Sequence, residues 1–403
     1  MTPTAKTAKS SISFLNTLPP ENRLILASAQ YAVSSIKKED FLQYCRQDLD
    51  WRMVFELAKF HRITPFLFNH LRKLDSSYVP AEIIDKVRPQ ILSHTRRIIW
   101  QIDELERILK LFAQEGINVI PYKGPLLGEE IYKNALLRVC NDLDFIIDQK
   151  DLSKIKILLS QEEYEPAMDL NLVQERAYAK SENVFVFYSE KKQQVLEFQW
   201  RLMPRLHNIK LDIQMLKPRS RQITHWDTQF PFLSPEDLFS SLCLHAYKHE
   251  WLELRLFMDL AQTISTYPGL NWSKVEEQSI KLGYQRVLCI SLVMLNVLFN
   301  AVIPEEIIHL IDSDISARKI AEERLRKLLQ KNEVVGDDLI QSTRLVLRTK
   351  ERVFDKLHYL FYLLITTTIY DWYYKPLSPT FFFLYYVIRP WRLLQKYLWK
   401  KKI

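Results

Sequence analysis

Glycine is scarce in this chain: 6 residues in 403, against an average near 7%. A G-x-G-x-x-G dinucleotide loop and a G-x-x-x-x-G-K-[ST] phosphate loop both need clustered glycines. Neither pattern occurs, which disfavours a Rossmann dehydrogenase and a P-loop NTPase. Cysteine is equally thin. Cys45, Cys140, Cys243 and Cys289 are far apart, with no C-x-x-C pair; that argues against a disulfide scaffold or a cysteine zinc site and fits a reducing cytoplasm. No uncharged apolar run reaches the 18 or so residues of a spanning helix, and the longest aromatic-rich run, Phe381 to Ile388, is too short. The N-terminal MTPTAKTAKSSISFLNTLPP lacks a continuous apolar core, so no secretory signal is expected. The expectation is a cytoplasmic protein, soluble or peripheral.

What is present is ordinary globular composition, 47% hydrophobic and 26% charged, and a length that suggests two or three domains. The formal charge of +8 is uneven. Six basic residues and no acid lie between Arg389 and Ile403, so the rest of the chain is nearly neutral. A nearly neutral body makes long duplex nucleic acid an unlikely partner.

The pattern along the chain divides it into a polar leader (1–20), an N-terminal helical region (21–100), a mixed α/β core (101–232), a C-terminal helical domain (233–376) and an aromatic, basic tail (377–403). Leu105, Ile108, Leu109 and Phe112 mark a helix over 102–114, with Gly116 suited to the position just past its end. Short strands are expected at 117–120, 143–147, 184–188 and 195–200, the last two forming a hairpin through SEKKQQ. Ser234-Pro235-Glu236-Asp237 reads as a capped helix start.

The strongest chemical signal is Asn141-Asp142-Leu143-Asp144-Phe145-Ile146-Ile147. On a strand, Asp142 and Asp144 project one way and Leu143, Phe145 and Ile147 the other. Two adjacent carboxylates repel each other, and a hard divalent cation would neutralise them; two solvated aspartates at a strand end are the plainer reading. Upstream, Lys123-Gly124-Pro125 lies between a strand and a helix. Gly124 lets backbone approach an anion, Pro125 presets the first turn, and the N–H groups there favour phosphate. Arg138 could contact a phosphate or pair with a carboxylate. Glu197, within Val195-Leu-Glu-Phe-Gln-Trp200, is the best candidate for a third acid, since a buried acid in an apolar strand needs a partner or a metal. His245 and His249 lie one helical turn apart on either side of Lys248.

In this order the features resemble an uncharacterised bacterial nucleotidyltransferase family of the DNA polymerase beta-like superfamily. Lys123-Gly124-Pro125, Tyr132, Arg138, Asp142-x-Asp144 and the acidic strand with Glu197 carry the resemblance. Trp51, Ala58-x-x-His61-Arg62-Ile63-Thr64-Pro65, His245-x-x-Lys248-His249-x-Trp251 and Asp259-Leu260 extend it over about residues 50–265. It implies an α+β fold: a small mixed-sheet core flanked by helical regions. It also implies that Asp142, Asp144 and Glu197 bind two Mg²⁺ ions, or that Glu197 is the base. Lys123 and Gly124 would stand where many superfamily members have a Gly-Ser pair on the triphosphate, with Arg138 nearby; His245, Lys248 and His249 would back the site or contact an acceptor.

The reaction expected is transfer of a nucleoside monophosphate from an NTP to an acceptor hydroxyl, releasing pyrophosphate; the acceptor is not specified by the sequence. Two other readings stand beside it: a non-catalytic platform for interaction or membrane docking, and a toxin-like enzyme that modifies tRNA or a protein. For the tail 377–403 a weak peripheral membrane contact is one expectation. Packing of its aromatics into the helical domain is the simpler one.

Overall fold

The computed structural model describes residues 14–74, 78–301, 303–330 and 339–395. The first part of the polar leader and the final residues of the basic tail, 396–403, lie outside them. The described chain is a mixed α+β structure in which a small sheet sits among many helices.

The sheet forms where apolar alternation was strongest. Strands β1 (Val119–Pro121), β2 (Leu143–Ile147), β3 (Glu165–Pro166), β4 (Val184–Ser189) and β5 (Gln194–Gln199) assemble in the order β1-β2-β5-β4-β3. β2 and β5 run parallel and the other pairs antiparallel, so the sheet is mixed. Leu143, Phe145, Leu196 and Phe198 are buried on one face. The Phe145 and Phe198 rings stack there at 5.1 Å, and Phe112 and Phe187 meet Phe198 edge-on. That apolar seam fixes the register, because a slip of one residue would turn every phenylalanine to the opposite face.

The helix expected over 102–114 is longer than its apolar stripe suggested. It runs from Ala81 to Gln114 and contains Pro89, whose surroundings are exposed. A proline there removes one helical hydrogen bond, but the exposed turn can give it up to water. The end is as expected: Gly116 takes φ +68, and Ile117 N–H bonds back to Phe112 O at 2.9 Å. Ser234 caps the Pro235–Lys248 helix by accepting from Asp237 N–H at 3.2 Å.

One hairpin was not legible. β6 (Arg221–His225) and β7 (Thr228–Phe232) pair antiparallel around Trp226 and Asp227, which hold φ values of +50 and +62. Tight hairpins need positive φ at both turn residues, and Asn-Gly or Asp-Gly is the usual sign. Trp-Asp carries no such sign. No helix among the described residues is long and apolar enough to cross a membrane.

Candidate active site

The sheet brings the expected acids together. Because β2 and β5 are adjacent and parallel, Asp144 and Glu197 are directly paired across the ladder. They share one sheet face, opposite the phenylalanines, with Asp142 two residues before Asp144. Gln199, two residues after Glu197, projects the same way and ties the set together. Its Nε2 donates to Asp144 Oδ1 at 2.8 Å and to Glu197 Oε2 at 3.3 Å. Its Oε1 accepts from Tyr122 OH at 2.8 Å. Sequence reading missed Gln199, although the period-two alternation that selected Glu197 marks it equally.

Lys123 supplies the compensating charge. Its Nζ lies 2.7 Å from Asp144 Oδ1 and 4.9 Å from the Tyr122 ring centroid. Burial works against the ammonium, but Asp144 and its neighbours more than offset this and hold its pKa above the usual lysine range. One cation does not balance three acids. Burial and then Asp144 push Asp142 above the usual carboxylate range. Burial and the two aspartates push Glu197 up to about 7. Crowded, partly buried carboxyl oxygens of this kind suit a hard divalent cation. In the conformation described, no group of three or more His, Cys, Asp or Glu donors stands in metal-holding geometry among the described residues.

Gly124 opens the helix Gly124–Tyr132 with φ +64, and Pro125 follows it. A Cβ at Gly124 would lie 3.6 Å from Asp142 O, an ordinary contact, so conformation and not space demands glycine. The helix N-terminus therefore abuts the start of β2. Gly124→Ala is expected to cost about 1–2 kcal/mol through left-handed strain alone, and thermal denaturation would measure it. Gly128 is small for a different reason. A Cβ there would sit 3.1 Å from Ala135 Cα and Arg138 Cβ, where the helix crosses the Ala135–Leu137 turn.

Arg138 makes its hydrogen bonds to Asp259 and Gly124, though its charge is also felt at Asp142. It is 2% exposed, and its Nε and Nη2 donate to Asp259 Oδ2 at 3.1 and 3.0 Å. Its Nη1 donates to Gly124 O at 3.3 Å. Asp259 also accepts from Tyr132 OH at 2.9 Å and Arg255 Nη1 at 3.3 Å. Of the two readings of Arg138, the structure shows the carboxylate pairing: the guanidinium is engaged by Asp259 and braces the glycine turn through Gly124 O. Arg62, which entered only as part of the resemblance, was given no role from sequence. It pairs with Glu253 at 3.5 Å and its charge is felt at Asp142.

His245, Lys248 and His249 stand at the edge of this cluster. The two imidazole centroids are 4.6 Å apart. Burial keeps His245 well below the usual histidine range and His249 at about 4, and both feel Lys123. Lys248 is exposed, and its charge is felt at Glu197. Lys248 and His249 also line a cleft of about 680 Å³ with Arg324, Arg326, Lys327 and Glu250. Glu250, in its wall, and the buried Trp251 behind it take φ +51 and +57, a strained turn of the sort found at functional sites.

The cleft floor rests on His207, whose carbonyl accepts from the buried Lys350. Burial lowers Lys350 to about 8. The unfolded chain therefore binds more protons between about pH 8 and the ordinary lysine value, so stability should rise with pH across that window. Lys350→Met should flatten this rise in urea denaturation between about pH 8 and 10; an unchanged slope would refute the burial argument.

A family described as uncharacterised nucleotidyltransferase matches residues 47–300. The chain belongs to that family. No curated protein matches it in sequence. The family span takes in the N-terminal His61-Arg62 turn, the whole carboxylate sheet and the helices bearing Lys248 and Asp259, so membership covers the elements that build the site. At the level the match supports, this nucleotidyltransferase family member is a transferase.

Proposed function

We propose that the protein is a Mg²⁺-dependent nucleotidyltransferase with a polymerase beta-like core, moving a nucleoside monophosphate from an NTP to an acceptor hydroxyl. The observation that carries this reading is the in-register pair Asp144–Glu197 on parallel strands, with Asp142 and the Gly124 turn beside it. Asp142, Asp144 and Glu197 would hold the metal. When bound, two divalent cations would neutralise the triphosphate and make the acceptor oxygen more nucleophilic.

The chain's own groups supply the rest. Backbone N–H groups at the Gly124 helix start, with Lys123 Nζ, would hold triphosphate oxygens. The acceptor oxygen bonds to the α-phosphorus as the bond from that phosphorus to the bridging oxygen breaks, and pyrophosphate leaves with the electron pair. The hydroxyl proton passes to a carboxylate, for which Glu197, paired in register with Asp144, is the candidate. An acceptor would enter through the cleft beside Lys248, where four cations face one carboxylate. That imbalance favours an acceptor carrying an anionic group.

Titration calorimetry with Mg²⁺ and each of the four triphosphates is the first test, and binding of at least one is expected. A screen of labelled NTPs against hydroxyl compounds should then yield product first with phosphorylated or carboxylated acceptors. The second reading, a non-catalytic platform, is favoured by the Lys123–Asp144 ion pair, which already satisfies one of the acids. Failure of all four triphosphates to bind would select it.

A further inference from the structure

The end of the chain is built with its polarity reversed. In the helix Val353–Ile365 the exposed residues include Val353, Leu357, Phe361 and Leu364, an apolar stripe at helical spacing, while Asp355 and Tyr359 are buried. In the helix Tyr385–Leu394 the exposed stripe includes Val387 and Leu394, while Arg389 is buried. Between these helices, Asp371 is fully buried and accepts from Arg389 Nη1 at 2.8 Å and Arg392 Nε at 2.6 Å. The Arg389 Nε also donates to Leu363 O at 2.9 Å, which fastens the two helices to each other. Sixteen of the 26 exposed large hydrophobic side chains among the described residues fall between Val353 and Leu394. Scattered exposed leucines need no explanation, but such a concentration on one packed unit does.

Charge says what covers it. From Arg352 to Ile403 the sequence has nine lysines and arginines and two acids, Asp355 and Asp371. Both acids are buried. Arg389 and Arg392 are spent on Asp371, but Arg352 and Lys375 are exposed and Lys356 half-exposed, so among the described residues the apolar face carries basic groups at its margin and no exposed carboxylate. Tyrosine is abundant in it, and aromatic rings with a polar tip favour the boundary between lipid and water. A second protein copy would present the same positive charge and repel. The helices have 13 and 10 residues, about 20 and 15 Å long at 1.5 Å per residue, short of the roughly 30 Å apolar core of a bilayer.

We propose that the unit Val353–Leu394 docks the protein on the surface of an anionic lipid bilayer, lying in the interface with its apolar face down. Of the aromatics in the tail 377–403, Tyr385 is buried, whereas Phe383 and Tyr386 are 61% and 50% exposed. The docking unit is also larger than the tail, since the Val353–Ile365 helix contributes a full stripe. It goes beyond the proposed chemistry and stands without it.

Flotation of the full-length protein tests it, using phosphatidylcholine vesicles with and without about one-third phosphatidylglycerol. The wild type should float with the anionic vesicles, at least about tenfold more than with neutral ones, and less as salt screens the lysines. Phe354→Glu with Phe361→Glu changes two exposed side chains, so circular dichroism should be unchanged while flotation falls at least about tenfold. Three outcomes overturn the proposal: no flotation of the wild type, equal flotation of the double variant, or a concentration-dependent dimer that the double variant abolishes without any vesicle binding.

Discussion

An Asp144→Asn variant is expected to lose nucleotidyl transfer by at least on the order of a thousandfold. That exceeds the roughly 10–100-fold typical of groups that only orient a metal's ligands. Asparagine has nearly the same shape, and its amide oxygen can still accept from Lys123, which now donates to Asp144 at 2.7 Å. It cannot supply an anionic oxygen to a cation. Stability should hardly change, because two effects oppose each other. Lys123 loses its nearest counter-charge, but Asp142 and Glu197 lose a repelling neighbour, and both are raised partly by Asp144. The signature is thus a melting temperature within a few degrees of wild type together with collapsed turnover; about 1 kcal/mol would shift a protein of this size by only 2–4 °C or less. Retained turnover in Asp144→Asn, measured with labelled NTP and any acceptor that the wild type uses, would remove the carboxylates from the mechanism.

Asp259→Asn should fail in the opposite way. Asp259 is fully buried and answers two buried guanidiniums, Arg138 and Arg255, as well as Tyr132 OH. Arg255 already has a buried Nε with no partner among the described residues. Removing the carboxylate leaves Arg138 without a counter-charge away from water and Arg255 with Glu253 alone, and breaking a buried pair in this manner costs about 3–5 kcal/mol. The urea midpoint should fall accordingly. Triphosphate binding should weaken in the folded fraction, because Arg138 no longer holds Gly124 O from a fixed position. Arg138→Met with Asp259→Leu should recover part of the lost stability, since it removes the guanidinium left without a counter-charge while Arg255 keeps Glu253. If the single variant melted like wild type, the pair would not be the brace that the geometry implies.

These two residues also separate what was readable from what was not. Asp144 and Glu197 were legible because a strand's period of two assigns every side chain a face from sequence alone; the same rule exposed Asp142 and would have exposed Gln199. Gly116, Ser234 and Pro125 were legible because caps and first turns depend on local backbone geometry. For Arg138 a carboxylate partner was one of two readings, but which carboxylate was not legible, since Asp259 lies 121 residues away and no local rule links them. The Trp226-Asp227 turn escaped for a related reason. Its strained conformation is imposed by the strands it joins, which override the weak preference of those two residues.

The C-terminal helices sharpen the contrast. Composition alone revealed a stretch both aromatic and basic, but not which residues would be covered. Helical spacing makes an apolar stripe in Val353–Ile365 plain; it does not say whether that stripe faces in or out. By itself, the sequence determined the positions of β1, β2, β4 and β5, the helix boundaries at Gly116 and Ser234 and the facing of the acids, because these follow from short-range periodicity and backbone sterics. Only the tertiary structure decided that Arg138 turns inward to Asp259, that Lys123 turns to Asp144, and that an apolar stripe is left outside. Those choices depend on which distant charges meet in the dry interior, where a buried carboxylate must find its cation before the remaining surfaces can settle.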